Sequence, residues 1–467
     1  MIRIDSSEAY PAEIEGANKN AFQSAEFTLK KSSWISDEAA NSCAICKSKF
    51  NQLRRRHHCR CCGLVLCNKC CTEKLPLPQY GLDAPERVCN ACVPVATCVT
   101  MSYSNDPAFH LRAVTGLSTL CRDSPASVVT LGGAHMLIYL SKKKLKTHMQ
   151  TLMHISNGLH SLARHSSIVD WLGSIGALNA VSKLLEHAET SSPKESVPMI
   201  TDALSALRIF AKTNNSFKMQ AMDAGCLPSL LQLCNHSDPS ISLVATTTLC
   251  LLAECPANQA AIINEHNALR AMLYKVVQSP DEQVTEHVLR IMVVLSSGSD
   301  ETKHVISSED ATCGGVFAEA LQSAHNNLQI NANAASAIAN LATSERDQVL
   351  LQSSLRAVLA QLKSSHPDYV ALQLIRATAN FSTHSAHASS LLQHLNTIVS
   401  YLNKSGSKSN IHAVRCIVNL LKHRNAETVA ALCRNGVSDF LLRFTEHDDV
   451  IYQVIDALNR TAPPVMS

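Results

Sequence analysis

The sequence predicts a small cysteine-rich finger followed by an all-α solenoid of repeated helical units. Three observations carry this reading. Paired cysteines crowd one short stretch, an apolar position recurs every forty or so residues through the rest of the chain, and only 4% of the residues are aromatic, which suits close helix packing through Ala, Leu, Ile and Val.

Ten of the nineteen cysteines lie between Cys43 and Cys92. Eight of them form four C-x-x-C pairs: Cys43/Cys46, Cys59/Cys62, Cys67/Cys70 and Cys89/Cys92. Two intervening residues let one tight turn aim both sulfurs at the same ion, and four thiolates at tetrahedral corners suit zinc. Eight ligands therefore read as two closed structural sites, one Zn2+ in each. A disulfide framework is the competing reading. No signal peptide precedes the stretch, and spacing this regular favours metal. Cys61 and Cys71 each stand beside a ligand and read as small buried thiols.

Wrapped inside this stretch is the run Arg54-Arg55-Arg56-His57-His58-Cys59-Arg60. Arg55, Arg56 and Arg60 carry planar forks that match phosphate oxygens, and a metal ligand embedded in the run clamps their backbone. The target should carry phosphate. Nucleic acid fits poorly, because the chain's net charge is only +3 and no aromatic residue is interleaved with the arginines for base stacking.

Three signatures stand in register with the eight cysteines: Trp34-Ile35-Ser36-Asp37 (W-x-x-D), Arg55-Arg56-His57-His58-Cys59-Arg60 (R-R-H-H-C-R) and Arg87-Val88-Cys89 (R-V-C). On these, residues 28 to 95 resemble the FYVE finger family. The resemblance implies interleaved ligation, with Cys43, Cys46, Cys67 and Cys70 on one zinc and Cys59, Cys62, Cys89 and Cys92 on the other. Metal binding would then supply much of the folding free energy of a segment too short to build its own core. A RING-type ubiquitin ligase shares the cross-brace logic but wants a histidine ligand just after the third cysteine, whereas His57 and His58 precede Cys59.

The FYVE resemblance also implies a ligand, phosphatidylinositol 3-phosphate. Arg60 and Arg87 would face the 3-phosphate, Arg55 and Arg56 would make the remaining phosphate contacts, and Asp37 with His57 or His58 would meet the inositol hydroxyls. Trp34 would help wall the pocket. A histidine beside bound phosphate should favour its charged form, so tighter lipid binding is expected at about pH 6 than at about pH 8.

The loop Asn51-Gln52-Leu53 is where that family dips an apolar tip into the bilayer, and here Leu53 is the only bulky apolar residue. One buried leucine is worth roughly 1.5 to 3 kcal/mol, so attachment by a single finger should be weak and salt-sensitive. Pairing two fingers, as in a homodimer, would strengthen it through effective concentration.

Residues 1–30 lack helical periodicity and any apolar h-region and read as a flexible N-terminal tail. The finger occupies 31–95, and 96–107, with a second proline closing the stretch from Val93 to Pro107, reads as a short linker. Helical repeats fill 108–463. Apolar runs such as Met136 to Leu140 are far too short to span a bilayer.

From Phe109 onward, a matching apolar position falls at Leu120, Leu162, Phe210, Leu252, Leu295, Leu341, Phe381, Leu420 and, more weakly, Arg460, at intervals of 39 to 48 residues. That period means an α-solenoid of about eight to nine units. In one unit, Asn215 to Ala224 should be a short helix, Gly225 a turn, Leu227 to Cys234 a second helix and Ser240 to Glu254 a third. Glycine permits the left-handed backbone that ends one helix, and Pro228 fits the opening turn of the next.

The strings GSIGALNAVSKLLEH at 173, AMDAGCLPSLLQLC at 221 and CRNGVSDFLLRFTEHDD at 433 share a Gly-then-aliphatic pattern. On these the solenoid resembles the armadillo family, with HEAT repeats the alternative. Asparagine recurs in the third helix at Asn340, Asn380, Asn419 and Asn459. In armadillo proteins an asparagine at that place faces a groove and binds an extended peptide's backbone, so the resemblance implies a protein partner here, its identity unknown. The tryptophan usual four residues earlier is replaced by Ser336, Arg376, Arg415 and Ile455.

Lys142, Lys143, Lys144 and Lys146 read as a solvated helix terminus. There is no phosphate-binding glycine loop, no G-x-S-x-G elbow and no H-E-x-x-H pair, so the chain reads as a recognition protein and not an enzyme. The combined expectation is a cytoplasmic adaptor, peripheral on endosomal or vacuolar membranes.

Overall fold

The computed structural model describes residues 1–142, 149–188, 193–323, 327–363, 365–403, 408–423, 426–434 and 437. The chain forms two compact units, Met1–Cys255 and Pro256–Ser467. Lys143, Lys144, Lys146, Gly436, Ile455, Asn459 and Arg460 lie outside the described residues.

Six short strands pair as three antiparallel ribbons: β1 (Ile2–Ile4) with β2 (Ser7–Ala9), β3 (His57–His58) with β4 (Val65–Leu66), and β5 (Glu73–Leu77) with β6 (Leu82–Val88). A two-stranded ribbon is marginal alone in water. The finger's two ribbons are held by the turns that carry the cysteines, as where Cys59 N–H bonds Leu64 O and Gly63 N–H bonds Cys59 O. Cys61 and Cys71 are fully buried, as expected of packing thiols.

Residues 1–30 are not a flexible tail. Beyond the β1–β2 hairpin, the extended segment donates from Ala12 to Val129 O, from Ala21 to Ile175 O and from Leu29 to Gln79 O. Ile4, Ala9, Ile14, Ala21 and Leu29 are buried. An extended strap has no helical period to read, and its order comes from distant partners. Lys142 belongs to the same arrangement: its ammonium donates to Phe22 O and Ser24 O instead of ending a helix in solvent.

The expected linker is a helix, α1 (Val93–Ser102), which continues directly from the last ligand Cys92. Pro94 stands in its first turn, where a missing N–H costs nothing, so a proline that resembles linker punctuation opens a helix. Val95 and Val99 are buried, and Thr100 Oγ1 donates to Pro76 O of β5 at 2.9 Å.

Helix α2 (Pro107–Asp123) begins the solenoid, and triplets of two shorter helices and one long helix follow. In the first unit these are α3 (Pro125–Thr130), α4 (Gly133–Lys142), α5 (Met149–Ala163); α6 (Val169–Ser174), α7 (Ala177–Ala188), α8 (Pro193–Thr213); and α9 (Asn215–Asp223), α10 (Leu227–Cys234), α11 (Pro239–Ala253). In the second they are α12 (Pro256–Asn264), α13 (Ala268–Gln278), α14 (Glu282–Leu295); α15 (Asp300–Thr312), α16 (Val316–Ser323), α17 (Leu328–Leu341); α18 (Glu345–Leu350), α19 (Gln352–Gln361), α20 (Asp368–Phe381); and α21 (Ala388–Leu392), α22 (Leu395–Ser400), α23 (Ser409–Lys422), before α24 (Ala426–Arg434).

The α9–α11 unit follows the sequence reading closely. Asn214 and Asp238 cap α9 and α11 by accepting from Phe217 N and Ser240 N. Gly225 turns between α9 and α10 at φ +78° with open space around it, so backbone conformation alone demands glycine. Within each unit the long helices stack on one another, α2 on α5 on α8 on α11, and α14 on α17 on α20 on α23. The recurring apolar position lies at the far end of each long helix and is buried at Leu162, Phe210, Leu252, Leu295, Leu341, Phe381 and Leu420, while Leu120 in the first is half-buried.

Candidate functional site

Two tetrads of cysteine form in the finger. Cys43, Cys46, Cys67 and Cys70 bring their sulfurs within 4.8 Å of one another, and so do Cys59, Cys62, Cys89 and Cys92. Tetrahedral Zn–S bonds of about 2.3 Å place sulfurs roughly 3.8 Å apart. Across the interleaved pairs, Cys46 and Cys67 Sγ lie 3.7 Å apart and Cys62 and Cys89 Sγ 3.9 Å, far beyond a disulfide. The Cys89 N–H points at Cys59 Sγ at 3.3 Å, as suits a thiolate. The donor set fits two Zn2+ ions bound in the interleaved order; when bound, they supply the cross-brace and no reaction chemistry.

The bound turns present the basic run. Strand alternation sends His57 and His58 to opposite faces of β3. On one side, the His58 ring stacks on Trp34, with centroids 4.6 Å apart and planes 14° apart, and the Arg60 guanidinium lies 4.3 Å from the centroid of a Trp34 ring. His58 Nε2 donates to Ile35 O at 2.9 Å, which fixes the tautomer, and Asp37 Oδ1 lies 3.8 Å from the same nitrogen. The W-x-x-D segment reaches this position because Gly63 has no side chain. A Cβ at Gly63 would stand 2.3 Å from Ser33 O, and its φ of +72° is itself a glycine conformation.

On the other face, burial, then the charges of Arg87 and Arg55, hold the His57 imidazole below its ordinary value. Arg87 Nη1 donates to Cys71 O at 2.8 Å and to Asn68 Oδ1 at 3.1 Å. The Arg60 N–H donates to Arg87 O at 2.9 Å, so the two arginines share a backbone junction. Both charges oppose the rise that burial imposes on the Cys71 thiol.

Arg56 is directed elsewhere. Its Nε donates to Ala40 O at 3.1 Å and its guanidinium lies 5.1 Å from the Phe50 centroid. Glu86, which sequence reasoning missed, accepts from Arg60 Nε at 3.1 Å. The register that brings β6 beside Arg60 has no sequence signature, although Glu86 immediately precedes the R-V-C string. Leu53 crowns a tight turn in which Asn51 Oδ1 accepts from Leu53 N and Arg54 N, and it is 98% exposed.

The expected peptide ladder is engaged within the solenoid. Asn340 Nδ2 donates to Val293 O and Ser296 Oγ, Asn380 Nδ2 to Ala339 O, and Asn419 Nδ2 to Ala379 O and Ser382 Oγ. The oxygens of Asn340 and Asn380 accept from Arg376 and Arg415 of the following long helices. The arginines that replace tryptophan thus convert a free amide into an inter-repeat brace.

No single helix among the described residues is long and apolar enough to cross a membrane.

Residues 33–97 match the FYVE zinc finger family and residues 222–445 match the Armadillo-like family. The Lateral signaling target protein 2 homolog of Brugia malayi is 40% identical over 77 residues, which are 15% of this chain and 12% of that protein. Lateral signaling target protein 2 of Caenorhabditis briggsae is 46% identical over 59 residues, 13% of this chain and 9% of that one. The chain therefore spans about a tenth of the length of these relatives. The crystal structure of an engineered protein superposes with a TM-score of 0.52 at 18% identity, covering 79% of this chain and 98% of its own, a likeness of fold alone.

Proposed function

We propose that the protein is an adaptor that reads phosphatidylinositol 3-phosphate with its finger and recruits a protein partner, through its solenoid, to the cytosolic face of endosomal or vacuolar membranes. The FYVE zinc finger joined to an armadillo-like solenoid supports recognition at both ends of the chain. The observation that carries the lipid half is the pair of arginines Arg60 and Arg87, joined where the Arg60 N–H donates to Arg87 O, with Arg60 against Trp34 and its stacked His58, on a finger whose Leu53 stands fully in solvent.

Physically, a singly charged phosphodiester and a 3-phosphate meet two arginines whose positions are set by backbone and side-chain hydrogen bonds before the ligand arrives, so little ordering accompanies binding. Asp37 and the imidazoles offer acceptors and donors for inositol hydroxyls, and a carboxylate there disfavours an additional phosphate. Leu53, 98% exposed, adds an apolar tip for insertion.

Flotation on liposomes carrying each phosphoinositide isomer, with wild type beside Arg60→Ala and Arg56→Ala, tests the reading. Wild type should float with the 3-phosphate isomer and not with its 4- and 5-phosphate isomers. Arg60→Ala should lose at least tenfold in affinity, and Arg56→Ala less, because Arg56 is turned towards Ala40 and Phe50. Equal flotation across the isomers sinks the assignment.

A further inference from the structure

Arg376 on α20 and Arg415 on α23 each use one nitrogen of the guanidinium to brace the preceding long helix. Arg376 Nη2 donates to Ser336 O at 3.1 Å and Asn340 Oδ1 at 2.8 Å. Arg415 Nη2 donates to Arg376 O at 3.4 Å and to Asn380 Oδ1. All of these acceptors are neutral. Among the described residues, no carboxylate lies within ion-pair distance of either guanidinium.

Among the described residues, no acceptor answers the remaining nitrogens of either fork. Arg376 Nε is buried without an acceptor, and so is Nδ1 of His412, three residues before Arg415 on α23. Burial, then the charges of Arg415 and Arg376, push the His412 imidazole down to about 4, so it is neutral near pH 7 and adds no third charge there. Burial, then Arg415, also lowers Arg376. Two cations partly withdrawn from water repel one another across adjacent repeats and meet no anion among the described residues.

We propose that this face of α20 and α23 binds an extended acidic segment of a partner protein, with one carboxylate on each arginine. Packed helices stand about 8 to 10 Å apart and an extended chain advances about 3.3 Å per residue, so the acidic residues fall two to three positions apart. Tyr369, two turns before Arg376, is 48% exposed, and Ile411, one turn before Arg415, is 64% exposed. They share the arginines' faces and add apolar contact. Because the asparagine amides are already engaged, this face reads charge where an armadillo-like groove would read peptide backbone. The inference rests on the recruitment half of the function proposed above and names the partner's chemistry.

Fluorescence anisotropy of the full chain with a labelled peptide of alternating glutamate and serine, in lipid-free buffer, tests it against a glutamine–serine peptide. The glutamate peptide should bind at least tenfold tighter than the control and weaken with salt. Arg415→Glu should lose at least tenfold, with circular dichroism showing that the helices stay folded although the brace to Asn380 is removed; Arg376→Gln, made separately, should lose a similar factor. Equal binding of the two peptides, undiminished binding by Arg415→Glu, or a preference for phosphatidylserine vesicles over the peptide overturns the proposal. Flotation of Arg415→Glu on 3-phosphate liposomes should match wild type, so that failure of the peptide site and failure of the lipid site are read separately.

Discussion

Arg60 and Glu86 form an ion pair across the finger, Nε to Oε2 at 3.1 Å, with both side chains about one-third exposed. The same guanidinium lies against Trp34, so Glu86 holds Arg60 in the pocket while occupying part of its fork. An arriving phosphate competes with that carboxylate for Arg60.

Glu86→Gln should therefore tighten binding to 3-phosphate liposomes by two- to fivefold, since a pair this exposed contributes up to about 1 kcal/mol. Titration of wild type and variant on the same vesicles measures this. Weakened binding by the variant would mean that Glu86 serves chiefly to position Arg60.

Leu53 is 98% exposed and touches no core, so Leu53→Ala should leave thermal stability unchanged. If the tip enters the bilayer, the variant should lose about 1.5 to 3 kcal/mol of vesicle affinity, roughly ten- to a hundredfold, with unchanged affinity for a soluble inositol 1,3-bisphosphate head group. Calorimetry with the soluble ligand beside vesicle flotation separates the two. Equal losses in both assays would place Leu53 outside the bilayer.

His135 on α4 is fully buried, and neither ring nitrogen has a hydrogen-bond partner. It packs against Phe27 of the N-terminal strap at 6.0 Å and against Trp171 at 5.5 Å, and burial pushes its imidazole down to about 4. An unfolded chain takes up this proton near pH 6.5 and the folded one only near pH 4, so the unfolded state binds more protons between them. Stability should therefore fall as pH drops from about 6.5 to about 4, by roughly 3 kcal/mol from this group, with no further loss from it below that. His135→Phe should flatten this part of the melting temperature against pH. A variant that keeps the full wild-type slope would assign the effect to other groups.

The eight zinc ligands and the recurring apolar position of the long helices were legible because each depends on spacing along the chain: a two-residue turn aims two sulfurs at one ion, and a forty-odd-residue period stacks like helices on like. Gly225 and Pro228 marked their turns for the same reason, since local backbone conformation is a property of the residue itself.

What the tertiary structure alone decided involves partners distant in sequence. The strap of residues 1–30 is ordered by Val129, Ile175 and Gln79, none of them its neighbours along the chain. Glu86 reaches Arg60 through strand register, Arg56 turns away from its neighbours towards Phe50, and the asparagines of the long helices are claimed by Val293, Ala339 and Ala379 of the preceding helix, with Arg376 and Arg415 of the following one on the amides of Asn340 and Asn380. Sequence determines which groups are capable of a hydrogen bond or a charge contact. Which of them remains available to a ligand depends on what packing has already placed within reach, and that is settled only when the chain is folded.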